Sequence, residues 1–273
     1  MARITSLHIY PVKSCRGIDV EETLITPTGL EWDRRWMIVR PNGRFITQRE
    51  VPKLATITVA VGNGRLTLSA EGHPPLVVAT DHGGAARPVR IWDDACTGID
   101  AGDEAAAWLT QVLGDPFRLV RIDERAPRLA NPKYVGPKPQ PVTFTDGYPV
   151  LMISNESLAE LNQRLPEPIP MARFRPNVVI EGVAAHAEDQ MVLFRLGPVV
   201  LRGVKLCTRC SVTTTDQQSG ARDPHQEPLR ALGKYRHNYE LKGVTFGQNC
   251  TLHEGIGKRL AVGATLAIEP YQL

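Results

Sequence analysis

Lys205-Leu-Cys-Thr-Arg-Cys210, continuing as Ser211-Val-Thr-Thr-Thr-Asp216, is the stretch on which the reading of this chain turns. A C-x-x-C pair has three ordinary chemical readings. Structural zinc needs four ligands, and the chain offers neither a second C-x-x-C nor an H-x₃₋₅-H to complete the set. Its seven histidines (His8, His73, His82, His186, His225, His237 and His253) are dispersed. A thioredoxin-like dithiol opens a helix after a strand, whereas the residues after Cys210 are β-branched and polar. The third reading is a single thiolate beside Lys205 and Arg209, acting as a soft ligand for a soft metal. Two buried cysteines without a role satisfy the same spacing.

Outward from this motif the chain reads as short strands. Apolar runs at 178–180, 192–196, 199–204, 246–252 and 264–268 surround it, and the first hundred residues repeat the pattern at 4–12, 36–39, 55–61, 65–69, 76–79 and 89–92. Asn63-Gly64 between two of these runs predicts a hairpin, because both positions tolerate positive φ. Two helices are predicted. One spans 103–113, with Asp103 as N-cap and Gly114 as terminator; the other spans 155–165, with Ser154 as cap. Residues 126–139, rich in proline and basic side chains, read as a long irregular loop, either a connector or a cover for a substrate. Many strands with few helices predict a mainly β (α+β), barrel-like fold.

Composition narrows the function classes. A chain of 273 residues with 42% apolar and 22% charged residues has ample core for one large or two packed domains. A net charge of +3 without a dense basic stripe argues against nucleic acid. Five scattered cysteines argue against a disulfide scaffold and for a reducing cytoplasm. No apolar run reaches the roughly 18 residues of a membrane span, and the N-terminus does not read as a secretory signal.

Other clusters share the chemical character of the thiol motif. Tyr10-Pro-Val-Lys-Ser14, Asp33-Arg-Arg-Trp36 and Phe174-Arg-Pro-Asn177 place basic and amide groups at strand ends, where they suit a phosphate or a polar heterocycle, or simply surface ion pairs. Thr145-Asp-Gly-Tyr-Pro149 reads as a turn whose backbone N–H groups and carboxylate could also grip a heterocycle. No P-loop, dinucleotide fingerprint or G-x-S-x-G elbow accompanies them.

Together and in this order these motifs, with Phe246-Gly-Gln-Asn249, resemble the MOSC-domain family, including its bacterial YcbX-type and mitochondrial amidoxime-reducing members. The resemblance implies an N-terminal MOSC-associated β domain over 1–95 packed on a MOSC β-barrel over 96–273, with a molybdenum cofactor between them. It makes Cys210 the metal ligand and assigns cofactor contacts to Lys13, Ser14, Arg34, Asp146, Gly147, Arg175, Asn177, Thr208 and Arg209. It further implies reduction of N-hydroxylated compounds such as amidoximes, hydroxylamines and hydroxylamino purines. The alternative within the same family is a module that carries the cofactor or sulfur without turnover. Met191 falls where relatives carry a bulky tryptophan, and Asp216, Gln248 and Asn249 are the candidate proton donors. The plant-type ferredoxin domain of some bacterial relatives, with its C-x₄-C-x₂-C run, has no counterpart here. Electrons are therefore expected from a separate ferredoxin-, flavin- or cytochrome-type partner, and no iron–sulfur cluster is expected in the chain.

Overall fold

The computed structural model describes residues 1–268. Its largest sheet is built on two long antiparallel strands, Val199–Thr208 and Gly243–Glu254, paired through Leu201↔Leu252, Lys205↔Asn249 and Thr208↔Thr245. The register slips between Gly203 and Lys205 and again between Leu206 and Thr208. Such bulges twist a strand and re-aim its side chains; the first lies at the start of the thiol motif and the second within it, at Cys207.

From this pair the sheet runs one way through Leu193–Leu196 to Leu266–Ile268. The other way it runs through Val150–Ser154, Val178–Glu181 and Arg3–Ile9 to Ile18–Val20. The first strand of the chain thus lies antiparallel to Val178–Glu181, with Leu7 opposite Val178. Ile4, Leu7 and Ile9 pack with Val150, Phe194 and Leu201 in one apolar core.

A four-stranded sheet of Trp36–Val39, Arg118–Ile122, Asp94–Asp100 and Ala86–Ile91 sits beside a three-stranded one of Thr58–Gly62, Arg65–Ser69 and Leu76–Ala79. The helix Asp103–Leu113 closes a second core against them, turning Trp108 and Leu109 onto Trp36, Leu66 and Leu68. The fold is therefore mainly β with four α-helices among the described residues, as the strand pattern predicted.

Particular elements show where the local signals held. Asn63 and Gly64 adopt φ values of 49° and 71°, the twist of a type I′ hairpin, between strands paired from Thr58↔Ser69 to Gly62↔Arg65. Ser154 caps its helix by accepting from the Ser157 N–H, but that helix ends at Asn162 rather than 165. The first helix starts after Gly102, not Asp103. Asp100 Oδ1 accepts from the Gly102 N–H at 2.9 Å, and Asp103 instead meets Arg118. The loop at 126–139 contains a strand, Arg128–Leu129, paired with Pro141–Val142, and a single helical turn, Pro132–Val135.

Gly247 connects the architecture to the site. Its φ is +83°, and a Cβ there would stand 2.6 Å from Ile153 Cγ1 and 2.9 Å from the Met152 carbonyl. Gly247→Ala is expected to destabilise the protein by about 1–3 kcal/mol, because both the backbone conformation and the space are wrong for a side chain. Chemical denaturation of the variant checks this; an unchanged midpoint would refute it.

Candidate functional site

Three of the short clusters meet around one aromatic ring. The Arg34 and Arg175 guanidinium carbons lie 4.2 and 4.3 Å from the Tyr10 ring centroid. Arg34 donates to both carboxylate oxygens of the buried Asp33, at 2.8 and 2.7 Å, and to Asn177 Oδ1 at 3.2 Å. Arg175 donates to Gln217 Oε1, which lies in a buried amide pair with Gln48. Gln48 in turn donates to the Ser14 carbonyl. Ser14, Arg34 and Arg175 all have positive φ (69°, 49° and 57°), a conformation that costs free energy and recurs where a site dictates the backbone.

The electrostatics of this cradle are unbalanced. Burial pushes Arg175 down to about 10, and the neighbouring Arg34 charge adds to that push. Burial also lowers Lys13, partly offset by Asp146, which accepts from Lys13 Nζ at 2.7 Å. Loss of water alone would raise Asp146, yet the Lys13 ammonium and the Trp92 indole N–H hold its carboxyl well below the usual carboxylate range. Crowded cations of this kind are stabilised by an incoming anion.

The Lys13–Asp146 pair has a predictable acid signature. A carboxylate held below its unfolded value adds stability above about pH 4, and that stability is lost as pH falls through the folded value. The Asp146 side chain is 74% exposed, so water screens the pair and the effect is small. The stability difference between wild type and Asp146→Asn is expected to be constant from pH 7 to 5 and to shrink below about pH 4. A difference that grew on acidification would contradict the assignment.

The cradle forms one side of a cavity of about 250 Å³. All ten positions expected from the sequence, Lys13, Ser14, Arg34, Asp146, Gly147, Arg175, Asn177, Thr208, Arg209 and Cys210, line it. Cys207 and Thr208 lie at the end of the long strand, and Cys210 precedes a short 3₁₀ turn, Ser211–Thr214, that accompanies the bend of the chain. Cys210 is exposed, whereas Cys207 is half-buried and accepts from Arg209 at 2.9 Å. The other Arg209 amino group donates to the Phe174 carbonyl at 2.6 Å, and Phe174 rests on Phe246 with centroids 4.3 Å apart. The thiol, FRPN and FGQN motifs are thus one packed unit.

Arg49 and Trp92 also line the cavity, and no signal in the sequence marked them. Trp92 stands 42% exposed, with the Arg49 guanidinium 4.2 Å from its ring and its indole N–H on Asp146. It lies in a hairpin turn, at φ 54°, where the sequence lacks a standard turn signal. Tyr148, from the Thr145–Pro149 turn, and Lys205, from the thiol motif, line the cavity as well. Of the candidate proton donors, Asn249 lines the cavity, while Gln248 is buried. Asp216 closes a turn by accepting from the Gln218 and Ser219 N–H groups. Met191 packs in the barrel core against residues such as Phe194, away from the cavity.

The donor set tests what the cavity can hold. It presents six cations (Lys13, Arg34, Arg49, Arg175, Lys205 and Arg209) against one carboxylate, Asp146. Thr145 Oγ1 and Arg209 Nε are buried without a partner. Among the described residues, no group of three His, Cys, Asp or Glu side chains converges to hold a metal. A metal bound at Cys210 must therefore bring most of its own donors. An anionic heterocycle carrying a phosphate and its own sulfur ligands fits these residues.

Two family models match the chain. Residues 1–116 match the MOSC N-terminal beta barrel domain and residues 139–266 the MOSC domain. The chain belongs to the MOSC-domain family. This MOSC protein is 35% identical over 244 residues to mitochondrial amidoxime reducing component 2 of Rattus norvegicus, covering 85% of the chain and 72% of the relative. It is equally similar, with the same coverage, to mitochondrial amidoxime-reducing component 1 of Homo sapiens. Component 2 of Bos taurus is 34% identical over 242 residues, again covering 85% and 72%. Among the described residues of the MOSC chain, no helix is long and apolar enough to cross a membrane.

Proposed function

We propose that this MOSC protein is a molybdenum-cofactor-dependent reductase that converts N-hydroxylated compounds, such as amidoximes, to their N–H forms. The carrying observation is the cavity itself: an exposed thiol beside six cations and one carboxylate, with no group of three or more protein metal donors converging among the described residues. The names of the similar proteins, amidoxime-reducing components, supply the reaction class.

In this reading Cys210 ligates the metal, and the bound cofactor supplies the two-electron redox chemistry. Arg34, Arg175 and Lys13 hold its anionic part. Asp146, Asn177 and the Gly147 backbone meet the hydrogen-bonding edge of its ring, and Thr208 and Arg209 fix the strand end beside the metal. Asp33 and Tyr10 set the two guanidinium groups so that little reorganisation accompanies binding. Electrons come from a separate redox protein, and the compartment is cytoplasmic.

The exposure of Cys210 also suits a cofactor or sulfur carrier, which would bind without turnover. Protein purified from a host that makes the cofactor is expected to contain one molybdenum and one pterin per chain. It is also expected to reduce benzamidoxime steadily with a dithionite-reduced viologen as donor. Protein free of both molybdenum and pterin would sink the proposal, whereas loaded protein without turnover would favour the carrier.

A further inference from the structure

Five of the six cations lining the cavity are already engaged. Lys13 is on Asp146, Arg34 on Asp33, Arg49 on Thr47, Arg175 on Gln217, and Arg209 on Cys207 and Phe174. Lys205 differs. Among the described residues its ammonium has no ion pair or hydrogen bond; it rests 4.4 Å from the Tyr134 ring centroid. Tyr134 comes from the single helical turn in the 126–139 connection and meets Tyr148 edge-on at 6.4 Å. Burial, with Tyr134 and Cys207 nearby, pushes the Tyr148 phenol up, so it stays neutral. The proline-rich segment therefore furnishes an aromatic seat for one free ammonium.

The position of that ammonium matters. Lys205 and Cys207 lie two residues apart on the strand that ends at the thiol motif, and both line the cavity. Across the ladder Lys205 stands opposite Asn249, which lines it too. A cation paired with nothing, held by a cation–π contact and open to the cavity, is positioned to hydrogen-bond an oxygen of whatever enters.

We propose that Lys205 binds the oxygen of the substrate N–OH group and supplies a proton to it as the N–O bond breaks, an inference that rests on the reductase reading. For an amidoxime the balanced change is RC(NH₂)=N–OH + 2 e⁻ + 2 H⁺ → RC(NH₂)=NH + H₂O. One proton joins the departing hydroxyl to form water and the other joins nitrogen. Both electrons come from the separate ferredoxin-, flavin- or cytochrome-type redox protein, or from reduced viologen in an assay. Lys205 gives the oxygen its proton and recovers one from solvent. Tyr134, packed edge-on against Tyr148, holds the ammonium in place.

The test compares wild type with Lys205→Met, Lys205→Gln and Lys205→Arg, each measured for molybdenum and pterin content, for kcat with benzamidoxime, and for benzamidoxime affinity by calorimetry on the oxidised protein without reductant. Loss of a general acid is expected to lower kcat about 100-fold in the Met and Gln variants, at unchanged molybdenum and pterin content. Their Kd should weaken roughly tenfold through the lost charged hydrogen bond, and Lys205→Arg should retain most of the affinity. Wild-type kcat and Kd in the Met and Gln variants would overturn the proposal. So would an activity loss matched by molybdenum loss, which would place Lys205 in the cofactor cradle. Should loaded wild type fail to turn over, the reductase reading falls on that result alone. The calorimetric comparison would still decide Lys205, an equal Kd in wild type and variants overturning its role.

Discussion

Cys210→Ser is expected to leave the fold intact and remove the proposed reductase activity. The side chain is exposed and stands ahead of a 3₁₀ turn held by backbone bonds, including Thr213 N–H to the Cys210 carbonyl at 3.1 Å. Removing an exposed sulfur of this kind shifts the melting temperature by no more than about 2 °C. The chemical effect is of another order. Even a partner one step removed from a metal ligand is worth 10–100-fold, so losing the protein's own sulfur donor should cost more than about 100-fold in kcat/KM. Molybdenum content should fall with it. Cys207→Ser is the internal control. Its sulfur accepts from Arg209, and serine preserves an acceptor, so the metal should stay. Thermal melts, metal analysis and turnover on the two variants together form the measurement. Full activity in Cys210→Ser would contradict the ligand assignment.

The second large effect is structural and begins at Asp33. Its carboxylate is buried (2% exposed), accepts from the Tyr10 N–H at 2.9 Å and from Arg34, and lies under the guanidinium pair that frames the cavity. Burial raises its pKa even though Arg34 pulls the other way, so the pair itself adds little net stability. Removing one partner is a different matter, because a guanidinium is left in a low-dielectric setting next to Arg175. Asp33→Ala is expected to destabilise the protein by about 3–5 kcal/mol, the range for breaking a buried pair. Asp33→Asn, which can still accept from Tyr10, should cost clearly less. Urea unfolding of both variants gives the comparison. Equal midpoints for wild type and Asp33→Ala would show that Arg34 finds compensation elsewhere.

The fold was legible where a local rule had a local cause. The Asn63-Gly64 hairpin, the body of the Asp103–Leu113 helix and the Ser154 cap were readable because turn chemistry, helix period and capping act over a few residues. The strand Asp94–Asp100 was not readable. Its sequence, DACTGID, lacks clean alternation, and it exists because Ala86–Ile91 and Arg118–Ile122 flank it. The site shows the same split. Lys13, Arg34, Arg175 and Cys210 stand in motifs that resemble a known family. Arg49, Trp92 and Tyr148 acquire meaning only through partners distant in sequence, such as Asp146 for Trp92. No window of sequence contains such a pair.

The placement of the first strand sets the order in which the molecule can be built. Arg3–Ile9 pairs with Val178–Glu181, and Lys13, four residues beyond that strand, reaches Asp146. A chain leaving the ribosome can pair one edge of its opening strand with Ile18–Val20 at once, but the other edge waits until more than half of the chain has followed. The thiol strand is completed only by Gly243–Glu254. The cavity walls are thus complete only once nearly the whole chain is available, and loop-closure entropy makes the long-range pairing that completes them slow. Until then, the exposed edges of both strands need protection from pairing with other chains.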